Sequence, residues 1–138
     1  MGRRLGEHTL ATFHDSLDRV LAKNDFFDVF YDRLMARSSA IAAKFDGFDM
    51  ARIKRLLRDA FYLKMMASDG NLRASARLEK IADRHAELGI TRDMHDQWLA
   101  TLLSVVADRD LHFDAEIERS WLDVTRIAMD IMKERAPA

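Results

Sequence analysis

The chain has a single proline, Pro137, next to its last residue, and only five glycines among 138 residues. With so few breakers, helices can run long. Apolar residues recur at steps of three and four rather than alternating, so strands are not expected and the pattern predicts an all-α chain of about seven helices. The first spans about residues 7–22, with Leu10, Phe13, Leu17, Val20 and Leu21 on one side. Asn24 or Asp25 is placed to cap a second, which carries Phe27, Phe30, Tyr31 and Leu34. Ser38 or Ser39 begins a short third segment that stops near Gly47. Asp49 is a credible cap for a long helix over 50–68, whose later half, FYLKMM, is apolar nearly all round and is expected to be buried. Gly70 ends it and Asn71 caps the next, which places Leu78, Ile81, His85 and Leu88 on one face before Gly89. Thr91 caps a sixth with Trp98, Leu102 and Val105 in phase, and Asp114 a seventh with Ile117, Trp121, Val124, Ala128 and Ile131.

Length and composition narrow the function classes. A chain of 138 residues fits one domain, taken as 1–138, with a sizeable core. Hydrophobic residues make up 49% and charged residues 33%, the balance of a soluble globular protein. No apolar run is long enough to cross a bilayer, and the opening MGRRLGEHTLATF lacks the apolar segment of a secretion signal, so a cytoplasmic location is the default. A net charge of −1 with interspersed signs leaves no basic footprint for nucleic acid. The absence of cysteine removes disulfides, thiolate catalysis and cysteine-ligated metals, so any metal must be held by His, Asp or Glu.

Few residues then remain to carry chemistry. The sharpest candidate is His85, four after Ile81 on an apolar face. Its Nδ1–H can reach a carbonyl one turn earlier and leave Nε2 free for a metal, although spacing alone favours a satisfied core histidine. His8, His14 and His112 are expected to be exposed. His95 is an ordinary helix-start residue that could face back toward His85. Glu-x-x-His pairs, H-E-x-x-H, Walker A and G-x-S-x-G patterns are all missing, and no carboxylate pair stands out for acid–base work. Tyr31 lies beside an apolar stripe, where its hydroxyl would need a partner. The basic run RIKRLLR, residues 52–58, is either a solvated face or a set of partners for anionic groups at a pocket mouth.

Taken together, FYDRLMARSSAIAAKFD (30–46) and RHAELGITRDMHDQWLATLL (84–103) resemble bacterial haem globins, over about residues 9–134. The resemblance implies a globin fold around haem b, with His85 as the proximal ligand of the iron. It places Tyr31 at the distal tyrosine position and Phe45 as the phenylalanine that packs on haem. Ile53, Leu56 or Leu57 would line the distal side, and Leu78, Ile81, Ile90 and Trp98 the rest of the pocket. Lys54, Arg55, Arg58 or Lys64 would pair with the propionates. An apolar distal helix with a helix-B tyrosine is similar to sensor-type globins, and because the chain ends at Ala138 with no output domain the implied protein is a single-domain member of that group. The expected function is reversible binding of O2, with NO and CO, by a gas sensor or carrier in which Tyr31 donates to the bound gas. The alternatives are a nitric oxide dioxygenase or peroxidase-like enzyme that needs an external reductase, and a haem-free signalling module. Sensor-type relatives pair through their last helices, so a homodimer through residues 92–134 is implied, as is a signalling partner.

Overall fold

A computed structural model describes residues 6–138; MGRRL, the start of the segment read above for a secretion signal, lies outside them. The described residues form seven α-helices and no strand: α1 (Glu7–Leu21), α2 (Phe26–Arg37), α3 (Ser39–Ala43), α4 (Met50–Ser68), α5 (Leu72–Glu87), α6 (Arg92–Arg109) and α7 (Ala115–Arg135). None is long and apolar enough to cross a membrane.

Five of the starts are fixed by side-chain caps. Ser38, Asp49, Asn71, Thr91 and Asp114 each accept a hydrogen bond from a backbone N–H of the first turn, at 2.9–3.2 Å. The start of α2 differs from expectation. Asp25 occupies the cap position but makes no side-chain cap bond, because its carboxylate instead accepts from Arg109 at 3.0 Å. The second half of α4 is also less enclosed than its composition suggests. Phe61, Leu63 and Lys64 are buried, while Tyr62 and Met66, four apart on the outer face, are partly exposed.

Helix α7 is the hub, packing on α1, α4, α5 and α6, while α2 lies against α6 and α3. Trp121 of α7 is fully buried, edge-on to Phe13 of α1 at 4.7 Å and to Phe61 of α4 at 5.7 Å. Its Nε1–H donates to Ser16 Oγ at 2.9 Å. Ser16 in turn donates to Asp110 at 2.6 Å, and Arg19 donates to both oxygens of the same carboxylate at 2.7 and 3.0 Å. One buried aspartate thus ties the end of α6 to α1 and, through Ser16, to Trp121. Burial pushes the Asp110 carboxyl up, but the bonds from Arg19, Ser16 and the His112 N–H outweigh it and hold the group below the ordinary carboxylate value.

A carboxylate whose folded value is depressed stabilises the protein above its unfolded value, and that contribution is lost as pH falls through the folded one. Asp110→Ala is therefore expected to cost about 3 kcal/mol near neutral pH. Thermal melts should show the deficit shrinking in acid, where wild-type Asp110 is itself protonated.

Candidate functional site

The turn after α5 fixes the His85 backbone. Gly89 has φ +76°, its N–H donates to the Ala86 carbonyl at 3.0 Å, and the Ile90 N–H donates to the His85 carbonyl at 3.0 Å. This is the paired C-terminal motif that a left-handed glycine permits. The His85 ring is held as well, since its Nδ1 lies 2.7 Å from the Ile81 carbonyl. A carbonyl can only accept, so Nδ1 carries the proton and Nε2 keeps its lone pair. Burial, reinforced by the positive charge of Lys64 and opposed by the Ile81 bond, lowers the His85 pKa and favours this neutral form.

A wall of rings runs from the Phe45 corner along α2 to α6. Phe45 meets Tyr31 at 5.5 Å, Tyr31 meets Phe30 at 4.9 Å, and Phe30 meets Trp98 at 5.6 Å, all edge-on. Tyr31 is 5% exposed, and its hydroxyl has no hydrogen-bond partner among the described residues; burial alone raises its pKa. Of the α4 residues considered for the distal side, Leu57 is buried in the main core and Ile53 packs against it, whereas Leu56 is 52% exposed. Leu56 shares a stripe with Ala60 and Lys64 at four-residue steps. Leu78 belongs to a second core cluster with Leu63, Ala67, Ala74 and Ala128, Ile81 packs on that cluster, and Ile90 is half-buried beside the turn.

Three features go beyond the sequence reading. His95, an ordinary helix start by sequence that could face back toward His85, is buried with its ring 5.9 Å from that of His85, and its Nε2 is a buried polar atom with no partner among the described residues. Burial, with the charges of His85, Lys133 and Lys64 and against that of Asp96, pushes its pKa down to about 4. Lys64 is buried too, with Nζ 4.2 Å from the centre of the Trp98 ring. The third is Lys44, whose Nζ donates to the Leu88 carbonyl at 3.0 Å and so clasps the Phe45 corner to the His85 turn. The other basic residues considered as propionate partners stand elsewhere: Lys54 pairs with Asp28, Arg58 lies over the Phe27 ring, and Arg55 is exposed. His8 and His112 are exposed, and His14 is half-buried beside Asp18.

Seven helices are packed with α7 as their hub, with a neutral histidine at the end of α5 and an aromatic wall along α2 and α6. No family model and no curated protein matches the sequence. A solved structure does match. The crystal structure of PA3967 from Pseudomonas aeruginosa PAO1, described as structurally highly homologous to a human hemoglobin, superposes with a TM-score of 0.87 and 31% sequence identity. The match covers 94% of this chain and 99% of that one. The chain belongs to the globin family.

The donor set fits a haem. His85 offers a neutral nitrogen with its tautomer fixed, the neighbouring wall of rings is largely apolar, and the His95 Nε2 beside it is a buried polar atom without a partner among the described residues. Its geometry depends on the clasp at Gly89, where an added Cβ would stand 3.0 Å from Lys44 Nζ. Gly47 also has positive φ, +82°, but nothing lies within 4 Å of its Cβ position. Gly89→Ala and Gly47→Ala should each cost roughly 1 kcal/mol for the left-handed backbone. Denaturant midpoints should show the larger loss for Gly89→Ala, which also displaces Lys44; equal losses would show the clasp to be energetically idle.

Proposed function

We propose that this chain is a haem-binding globin that reversibly binds O2, and also NO and CO, as a gas sensor or carrier. The observation that carries the reading is the hydrogen bond from His85 Nδ1 to the Ile81 carbonyl, which leaves Nε2 as a neutral axial donor. Haem b, when bound, supplies an iron with a coordination position for a diatomic gas. Leu78, Ile81 and Ile90 exclude water around His85, and Phe45, Ile53, Leu57 and Trp98 supply the remaining apolar lining, with Leu56 on the exposed side of α4. Tyr31 supplies the one hydroxyl of the aromatic wall, and its buried O–H is an available donor for the outer atom of a bound gas. In a dry site such a bond is worth about 1 kcal/mol or more.

The buried basic groups favour this reading over a haem-free signalling module. A buried His95 Nε2 without a partner and a buried Lys64 without an ion pair among the described residues each cost stability in a chain that never receives a further group.

Protein expressed with haem should show a Soret band that His85→Ala abolishes or grossly alters; an unchanged spectrum would remove His85 from the iron. Stopped-flow measurement of Tyr31→Phe should give O2 dissociation about fivefold to tenfold faster. An unchanged rate would remove Tyr31 from the distal role.

A further inference from the structure

His85 is held a second time from outside its own helix. Arg135, in the last turn of α7, meets two acids of α5: its Nε stands 2.9 Å from Asp83 Oδ1 and its Nη2 3.8 Å from Glu79 Oε1. Glu79 and Asp83 are four apart in sequence, so one planar guanidinium spans a full turn of α5. That turn contains Ile81, whose carbonyl lies 2.7 Å from His85 Nδ1. Arg135 therefore grips the stretch of backbone that orients the imidazole, while Lys44 grips the Leu88 carbonyl on the other side of it.

Apolar packing alone does not give this hold. Leu78 and Ala128 share a buried cluster, with Ile81 and Ile131 packed against it, and this seam joins α5 to α7. Contacts between aliphatic groups resist separation but are non-directional, so they tolerate small slides and turns of one helix on another. Arg135 stands one turn after Ile131, on the face of α7 that meets α5, where a fork onto two acids fixes register. The fork is open to solvent, with side-chain exposures of 31% for Arg135, 54% for Glu79 and 63% for Asp83. Pairs so exposed add little to stability, so their effect falls on position rather than on whether the chain folds. At the same end of α7, Lys133 pairs with Asp96 of α6 at 2.6 Å, so the two cations hold different helices.

We propose that Arg135 is the positioning residue of His85, setting the orientation of its imidazole from the protein surface through Glu79 and Asp83. The inference rests on the haem reading above and deepens it. It places part of the control of the iron–histidine bond in a solvent-exposed ion-pair fork, where salt can reach it.

Resonance Raman spectra of the ferrous, ligand-free, haem-loaded protein and amide hydrogen exchange over residues 82–88 test this in wild type, Arg135→Ala, Arg135→Lys and Lys133→Ala. Arg135→Ala should shift and broaden the iron–histidine band and speed the exchange about twofold to fivefold, with the Soret intensity unchanged. Arg135→Lys should recover part of the wild-type band, because an ammonium keeps the charge but not the fork. Lys133→Ala, which breaks the neighbouring pair to α6, should leave the band in place. Raising the ionic strength from about 0.1 to 1 M shortens the screening length from about 10 to 3 Å. It should move the wild-type band toward that of Arg135→Ala and leave the variant's band still. Circular dichroism melts check that each variant folds. A wild-type band and wild-type exchange in folded Arg135→Ala overturn the Arg135 role and leave the haem reading standing. Equal shifts from Arg135→Ala and Lys133→Ala also overturn it, since the effect would then belong to the end of α7 as a whole. Wild type with no iron–histidine band overturns the haem reading, and the Arg135 role with it, whatever the exchange shows.

Discussion

Burial of Trp121 sets the frame that the other helices follow. Its ring lies against Phe13 of α1 and Phe61 of α4, and its one polar atom is satisfied by Ser16, so no part of the side chain is left without a partner. Fully burying a large apolar side chain is worth about 2–3 kcal/mol, whereas an exposed ion pair contributes roughly 0–1. The ion pairs at the helix surfaces, such as Lys54–Asp28 and Lys133–Asp96, therefore cannot set the packing. Helix α7 does, and it fixes the rotation of α4 as well: Phe61 must face Trp121, and the Ser68 hydroxyl lies 2.8 Å from the Val124 carbonyl. With α4 turned that way, Lys64, three residues beyond Phe61, is carried inward over Trp98.

The same frame presses α5 onto α7 and α4 and brings its histidine to the inner side. Local chemistry then fixes the ring. The Ile81 carbonyl fixes the tautomer, the Gly89 turn fixes the backbone, and Lys44 holds that turn to the corner that carries Phe45. The frame thereby holds a neutral histidine at the end of α5 and a buried tyrosine on α2. Both states are kept by burial, which disfavours the imidazolium and the phenolate alike.

Much of this was legible in the sequence because it is local. All seven helices follow from period, caps and the glycines at 70 and 89, and five of the cap side chains do what their type suggests. The resemblance carried by Tyr31, Phe45 and His85 pointed to the globin fold that the solved relative shares. Long-range choices were not legible. Asp25 looks like a cap but answers to Arg109, 84 residues away. His95 reads as an ordinary helix start that could face His85, and only the packing shows it buried; Lys64 looks like any basic residue on an amphipathic helix until Phe61 fixes which way α4 is turned. Asp110, in a polar connector, gave no sign that Arg19 and Ser16 would close over it.

The central claim is that His85 Nε2 is the axial nitrogen of a haem iron, and resonance Raman spectroscopy of the ferrous, ligand-free protein reads that bond directly. The account predicts an iron–histidine band that shifts on 15N labelling of histidine, is absent in His85→Gly, and is replaced by an iron–imidazole band when free imidazole is added to that variant. An iron–histidine band that persists unchanged in His85→Gly would contradict it.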